Sequence, residues 1–489
     1  LNKSASLKST LQWLSFWLGP ILFCLFFFGN PFDLDEKANR VISVAALMIT
    51  WWISEAMPMP AVALIPLVLF PLLGIATISE AAAPYANEVI FLFMGGFLIG
   101  LAIEKWNLHK RIALSIVKIT GTSGNRIILG FILATGFLSM WLSNTATTMM
   151  MFPIALSVIS VVKGSGVDDK SAAHFSLCIM LSIAYASNFG GIATIIGTPP
   201  NVAYTSFINK RYGYDVSFAN WMIICLPIAL LLLVSLYFVM VKWLYPNRIA
   251  SSGKMQEMIH ADLAELGPMQ QPEKRVLFVF VLTALLWITR DLINKPGWFR
   301  LDDNMIAIFG ALLLFIIPAR TTENKGPKIL EWRDTAAMAW GILLLFGGGI
   351  TLASAMEKAG LITLLGNWIA GFSGTNLFLI VVIVTVLSIF MSELMSNIAQ
   401  VIVLAPVVSG IADAIGVNPF LLGVPMTLAA SCASMMPMGT PPNAIVFASG
   451  HIQMKQMMKA GFVMNIISIV LIILFCYLVL PNFLSLTAK

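Results

Sequence analysis

Apolar residues run through this chain in long blocks with few polar interruptions. Blocks at about 11–30, 41–57, 60–75, 88–106, 174–208, 220–245, 273–293, 303–319, 336–356, 420–450 and 458–482 come close to or exceed the length of a bilayer crossing, for which roughly 20 apolar residues suffice. Eleven transmembrane segments are therefore expected. Two further apolar stretches, about 127–162 and 377–412, are broken in the middle by polar residues, at 139–148 and 392–400. Each half is about 15 residues, short for a crossing. Two re-entrant hairpins of paired half-helices fit this pattern better. Irregular backbone at membrane depth is tolerated only where protein or a water-filled cavity covers it. The block at 11–30 is too long for a signal-peptide core and no small-x-small pattern follows it, so it reads as the first crossing.

The broken stretches belong to a duplicated pattern. The pentapeptide Gly-Thr-Pro-Pro-Asn occurs at 197–201 and again at 439–443. Each copy follows a Ser-Asn pair: Ser143-Asn144-Thr145 before the first, Ser396-Asn397-Ile398 before the second. An offset of 253 (348 minus 95) carries Gly95-Gly96 onto Gly348-Gly349, Glu104-Lys105 onto Glu357-Lys358, Leu108 onto Leu361 and Gly121 onto Gly374. The same offset carries Ser139 onto Ser392, Ser143-Asn144 onto Ser396-Asn397, Ala146 onto Ala399 and Pro153 onto Pro406. Beyond the hairpins the second copy is shorter, which puts a length change in the loop around 163–171. With the helix at 11–30 set aside, each repeat holds five crossings and one hairpin. A hairpin returns to its own side and five is odd, so the second repeat is inverted relative to the first. Inverted repeats with helices broken at the midplane are the architecture of many secondary transporters.

Composition agrees with the pattern. Hydrophobic residues make up 59% of the chain and charged residues 11%, against about 25% charged in soluble domains. The expected class is an all-α polytopic membrane protein, multi-pass in the plasma (inner) membrane. The net charge of +6 requires no nucleic-acid partner, because cytoplasmic loops collect Lys and Arg. Those charges also set an orientation. Lys105, Lys110, Arg111, Lys118 and Arg126 precede the first hairpin, whereas its repeat mate carries Lys358 and then no Lys or Arg through residue 375. The positive-inside rule puts the first segment in the cytoplasm and the second outside. The N-terminus is then cytoplasmic, the acidic loop 33–36 outside and the C-terminus outside. The linker with Lys242, Arg248, Lys254, Lys274 and Arg275 in or near it lies inside, as does the loop with Arg320, Lys325, Lys328 and Arg333. The first hairpin enters from the cytoplasm and the second from outside. The organisation read from the chain is 1–40 (first helix and loop), 41–245 (first repeat), 246–272 (cytoplasmic linker) and 273–489 (second repeat). Residues 107–120, basic beside an apolar face, read as an interfacial helix.

Candidate chemistry gathers at the breaks. A helix starting at a hairpin tip turns its free N–H groups, about half a positive charge, into the protein and attracts anions. Ser143-Asn144-Thr145 and Ser396-Asn397 fall at the two tips. Their hydroxyls and amides donate to a carboxylate, and their oxygens can also face a small cation. Prolines 199, 200, 441 and 442 lack N–H groups, so carbonyls before them lose their helical partners. Gly197 and Gly439 let that backbone approach an ion closely. Such a cage of hard oxygens suits sodium and offers nothing soft for a transition metal. No Lys or Arg lies in either hairpin or either pentapeptide, so a bound anion would take its positive charge from co-bound cations.

Other polar residues read more plainly. The five cysteines (Cys24, Cys178, Cys225, Cys432, Cys476) and four histidines lack ligand spacing, which supports neither disulfides nor a metal site. Ser187-Asn188, without a counterpart at the repeat offset, reads as helix–helix glue. The Met runs at 149–151 and 435–438 read as packing. Glu393 lies inside the second hairpin with Met140 as its mate; a functional acid and a structural hydrogen-bonding role both fit. An enzyme would need a convergent nucleophile, acid/base pair or metal centre, and the sequence offers none. Opposed hairpins in inverted repeats suit alternating access better than a channel.

With these residues in view, the chain resembles the divalent anion/sodium symporter family, the INDY-type di- and tricarboxylate transporters, over most of 40–485. The paired Ser-Asn tips, each followed by a Pro-Pro-Asn break, carry the resemblance. It implies a homodimer in the lipid bilayer, each protomer with a scaffold and a transport domain working by an elevator motion. It implies a first sodium (Na+) site from Ser139, Ser143, Asn144 and the backbone of Gly197, and a second from Ser392, Met395 (backbone), Asn397 and the backbone of Gly439. It implies substrate contacts from Ser143, Asn144, Thr145, Thr198, Pro199, Ser396, Asn397, Thr440 and Pro441. The implied activity is sodium-coupled symport of C4-dicarboxylates such as succinate, malate and fumarate, without an organic cofactor. Sodium-independent dicarboxylate exchange, for example 2-oxoglutarate for malate or succinate, is the alternative. The chain departs from the family pattern at Ile398, where a Thr is expected; Ile cannot hydrogen-bond a carboxylate.

Overall fold

The structure is a computed structural model that describes residues 2–164, 167–247, 249, 253–297, 300–319, 328–364, 367 and 376–486. Among these residues the regular elements are helices, and the extended pairing is limited to one bridge between Pro318 and Lys328. Among the described residues, eight helices are long and apolar enough to cross a membrane. The chain is an all-helical multi-pass membrane protein.

The first half runs α1 (Asn2–Gly29), α2 (Glu36–Ser54), two short pieces α3 (Met59–Val62) and α4 (Ile65–Leu72), α5 (Ile78–Ala82), α6 (Glu88–Lys105) and α7 (Leu108–Thr120). It continues with α8 (Gly124–Ser139), α9 (Asn144–Lys163), α10 (Asp169–Gly191), α11 (Pro199–Tyr212) and α12 (Phe218–Phe238). After α13 (Gly253–Glu265), which folds within the expected linker, the second half runs α14 (Gln271–Asn294), α15 (Asp303–Ile316) and α16 (Trp340–Lys358). Then come α17 (Leu377–Ser392), α18 (Asn397–Ile415), α19 (Phe420–Ala430), α20 (Pro441–Phe447) and α21 (Met454–Leu478). Side-chain oxygens start several of these helices by accepting a free first-turn N–H: Asp35 from Ala38, Ser143 from Ala146, Asp168 from Ser171 and Ser217 from Asn220.

Three expected crossings are interrupted. The block at 60–75 divides between α3 and α4, because Pro66 at the start of α4 has no N–H to continue the earlier turn. The blocks at 174–208 and 420–450 open between α10 and α11 and between α19 and α20, ahead of the paired prolines. The hairpins also differ from expectation in length. Only the first arms are short, with 16 residues each in α8 and α17. The second arms run straight through Pro153 and Pro406 to reach 20 and 19 residues, long enough to cross. Arg248, Arg320, Lys325, Gly374 and part of the 163–171 loop lie outside the described residues, as does the side chain of Lys254.

Contacts sort the helix ends into two faces. On one, Gly124 N–H donates to Ile249 O (3.1 Å), His174 Nδ1 meets Pro246 O (3.0 Å) and Tyr245 OH donates to Gln456 O (3.2 Å). The amphipathic α7 lies there. Its Leu108, Ala113, Leu114 and Val117 are buried, and Arg111 pairs with Glu273 at 2.6 Å while donating to Gly267 O and Leu266 O. On the other face, Arg211 at the end of α11 sits 2.9 Å from Glu357 of α16 and 2.8 Å from Asp413 of α18. Arg290 likewise joins α14 to Asp303 of α15 at 3.2 Å. Buried apolar residues form a large core and a smaller one. The smaller core joins α2–α4 and α16 to Met395 and Ala399 at the second tip.

Candidate functional site

The two tips fold alike because their sequences are alike. Ser139 Oγ donates to Asn144 Oδ1 at 2.7 Å, and Ser392 Oγ donates to Asn397 Oδ1 at the same 2.7 Å. Each Ser ends or nearly ends the first arm and each Asn begins the second, so the bond pins the turn shut from behind. Ser139 and Ser392 are fully buried, while Ser143, Asn144, Ser396 and Asn397 are half-buried.

The broken loops are also held alike. Asn201 Nδ2 donates to Gly191 O (3.4 Å) and Thr194 O (2.8 Å); Asn443 Nδ2 donates to Ala433 O (3.2 Å) and Met436 O (3.1 Å). These acceptors correspond at the offset that relates the pentapeptides. The last residue of each Gly-Thr-Pro-Pro-Asn therefore clamps loop carbonyls on the stretch that joins the two helices, where the helical bonding pattern has stopped. Thr198 and Thr440 take the same extended conformation ahead of α11 and α20, with φ −143° in both. The two pentapeptides keep different company behind them: Thr194 Oγ1 links Met140 O to Gly197 N–H in the first repeat, and the Glu393 carboxylate takes the N–H groups of Ser434, Met435 and Met436 in the second.

One cluster of oxygens decides what the first tip can hold. Besides the Ser139 hydroxyl at 2.7 Å, Asn144 Oδ1 faces two carbonyls that can only accept, Gly197 O at 3.2 Å and Ser187 O at 3.0 Å. Turning the amide over would let its nitrogen donate to all three. The alternative is a small cation among them, for which carbonyl, amide and hydroxyl oxygens are the right donors. Gly197 has to be glycine here. A Cβ built on it would lie 2.9 Å from Ser139 O and 3.0 Å from Gly191 C.

Both tips and both loops open on one cavity of about 600 Å³. Ser143, Asn144, Thr145, Thr198, Pro199, Ser396, Asn397, Thr440 and Pro441 all line it, together with Gly439 and Ile398. Ser139, Ser392 and Gly197 lie behind this wall, and the Met395 side chain packs into the smaller core. No Lys, Arg or His is among the lining residues. Glu104, Ala337 and Ala339 line the end of the cavity near the 2.6 Å pair between Lys105 and Asp334. Glu55 also lines it, with a left-handed backbone (φ 50°). An anion inside would meet helix N-termini, hydroxyls and amides, with acidic side chains at the periphery.

The structure adds to the reading of one residue. Asn188, expected as glue between helices, lines the cavity and bridges its walls, donating to Thr440 Oγ1 at 3.1 Å and accepting from Asn144 Nδ2 at 3.4 Å. The repeat gave no signal because Ala430 stands at the equivalent position. Glu55 comes from the end of α2 and Glu104 from the last turn of α6; the sequence marked Glu104 only as half of a repeated pair and did not mark Glu55. Replacing Asn188 by alanine is expected to raise the substrate concentration for half-maximal uptake about tenfold, the cost of one hydrogen bond left unmade at a polar wall. Uptake titrated against substrate measures it.

Residues 9–482 match the family model described as the sodium:sulfate symporter transmembrane region. The chain belongs to this family. It is a family of membrane transporters, so the chain is a transporter and not an enzyme. Within the family it is similar to a sodium-dependent dicarboxylate transporter, SdcS, of Staphylococcus saprophyticus, with 41% identity over 476 residues, 95% of this chain and 90% of that protein. The SdcS protein of Staphylococcus aureus strain USA300 is 42% identical over 477 residues, again 95% of this chain and 90% of that one. Among solved structures, the crystal structure of the Alcanivorax borkumensis YdaH transporter aligns with a TM-score of 0.54 over 90% of this chain and 99% of that chain. At 12% identity that likeness concerns the fold alone.

Proposed function

We propose that this symporter-family protein couples sodium to the uptake of C4-dicarboxylates such as succinate, malate and fumarate. The observation that carries the reading is the ring of oxygens around Asn144, behind an anion-sized cavity wall that holds no basic side chain. A dianion in that cavity needs positive charge from somewhere, and a cation cage directly behind the tip supplies it. The names of the relatives at 41–42% identity point to the same pair of cargoes. Ser139, Ser143, Asn144 and Gly197 would hold one sodium, and Ser392, Met395, Asn397 and Gly439 a second. The cavity-facing Ser143, Asn144, Thr145, Thr198, Pro199, Ser396, Asn397, Thr440 and Pro441 would hold the carboxylates.

The finer architecture in this reading has eleven crossings and two re-entrant hairpins in inverted repeats at 41–245 and 273–489. The open ends of α8 and α9 near the linker, and of α18 near Arg211, support hairpins entering from opposite faces. The basic Lys110, Arg111, Lys118 and Arg126 favour a cytoplasmic position for the linker face and the N-terminus, with the C-terminus outside. The smaller core of α2–α4 and α16 fits a scaffold past which the tips and loops travel as an elevator. The homodimer in this reading rests on the family resemblance.

A sodium-independent exchanger is the second reading. Ile398 favours it by placing an apolar side chain in the cavity where the other tip has Thr145. Uptake of labelled succinate into proteoliposomes decides. Symport requires accumulation that follows an inward sodium gradient. Uptake that needs only internal dicarboxylate and ignores sodium establishes exchange instead.

A further inference from the structure

Glu393 is a buried acid that the proposed transport chemistry does not use. It is 3% exposed and stands at the second tip, directly after Ser392. Its Oε1 accepts from Ser434 N–H and Met435 N–H, both at 2.8 Å, and from Asn465 Nδ2 at 2.7 Å; its Oε2 accepts from Met436 N–H at 2.8 Å. Each of these partners donates and none accepts, the pattern a carboxylate without its proton requires. No Lys, Arg or His makes an ion pair with it among the described residues.

Backbone and amide donors offset part of the cost of burying such a charge. They do not neutralise it, and an unpaired buried carboxylate remains expensive. The charge is not remote from the second oxygen cage. A Cβ built on Gly439 would lie 3.0 Å from Glu393 Oε2 and 3.3 Å from Ser392 O. In the first repeat the equivalent position is Met140, and the tie from tip to loop is the neutral hydroxyl of Thr194. The two cages therefore share their geometry at Ser-Asn and differ by one full negative charge.

Resting on the sodium-symport reading, we propose that Glu393 is the counter-charge of the cation held at the second tip and makes that cage the tighter of the two. It acts through position and field, without touching the dicarboxylate. In the absence of substrate the second cage fills first. Its sodium offsets the carboxylate, and only the sodium of the first cage contributes net positive charge toward the anion.

A carboxylate that merely anchored the 434–436 loop would predict something different. Loosening that loop displaces Gly439, Thr440 and Pro441 together, so cation and anion would both bind more weakly. A counter-charge has opposite signs for the two cargoes. The test is Glu393→Gln in the full-length protein, reconstituted in proteoliposomes and titrated separately with sodium and with succinate. The sodium concentration for half-maximal uptake is expected to rise about tenfold, equivalent to ~1.4 kcal/mol. The succinate concentration for half-maximal uptake at saturating sodium is expected to stay the same or fall. Glu393→Asp, which keeps the charge, should restore most of the sodium affinity. If Glu393→Gln does not fold, Asn465→Ala decides, because it removes a donor and keeps the charge. Its sodium half-saturation should stay within about threefold of the parent. Unchanged sodium affinity in Glu393→Gln, parallel weakening of both cargoes, or a sodium defect in Asn465→Ala overturns the proposal while leaving symport intact. Sodium-independent uptake by the unaltered protein overturns both.

Discussion

Asn144→Ala is expected to reduce sodium-driven succinate uptake at least about 100-fold while the protein still inserts and folds. The side chain serves two purposes at once. One end of its amide meets Gly197 O, Ser187 O and Ser139 Oγ behind the tip, and the other end reaches Asn188 across the cavity wall. Alanine removes the proposed cation ligand and leaves two polar partners short of a bond, each costing about 1–3 kcal/mol. At ~1.4 kcal/mol per factor of ten, the sum accounts for the expected loss. Asn397→Ala is expected to behave in the same way, since Ser392 makes the same 2.7 Å bond to it that Ser139 makes to Asn144. Both substitutions remove atoms without adding bulk, so size-exclusion behaviour in detergent should match the parent. Wild-type uptake in either variant would sink the assignment of the tips.

Gly197→Ala is expected to be nearly as damaging for an opposite reason, because it adds an atom. The new methyl would crowd Ser139 O and the carbonyl of Gly191 from a position with no flexible neighbour to displace. Overpacking of this kind costs about 1–3 kcal/mol. It also pushes the Gly197 carbonyl away from Asn144, so sodium affinity should fall with stability. Gly439→Ala should be milder, since its methyl would meet a side-chain oxygen of Glu393 at 3.0 Å and Ser392 O at 3.3 Å. Thermal unfolding and sodium titration of the two variants measure the difference. Equal effects at both positions would mean that the close backbone approach at the first tip has no bearing on transport.

The tips and loops were legible in sequence because polar residues inside apolar blocks are costly and therefore informative, and because this chain states them twice. Ser139 and Ser392, Asn144 and Asn397, Thr198 and Thr440 could each be checked against a mate. Residues without a mate were harder to place. Asn188 had only Ala430 opposite it and was read as glue; it does join helices, and it also lines the cavity and joins its two halves. Glu393 drew notice as an acid in a membrane, yet its partners lie on the far side of a loop and on α21, contacts that no local pattern encodes. Hairpin lengths were misjudged because the polar stretches 139–148 and 392–400 were counted wholly as breaks, whereas α9 and α18 begin inside them at Asn144 and Asn397. Pro153 and Pro406 are absorbed within α9 and α18, while the prolines that follow an extended Thr do start new helices. Context at the preceding residue, more than proline itself, separates the two outcomes.

Arg211 closes a chain of charges at the face opposite the linker, between Glu357 and Asp413. Its own side chain is only 10% exposed, but both carboxylates are 41% exposed and washed by the surrounding medium. Mobile ions therefore compete for them. The screening length shrinks from about 10 Å at 0.1 M salt to about 3 Å at 1 M, so brine loosens the fastening of α11 to α16 that fresh water tightens.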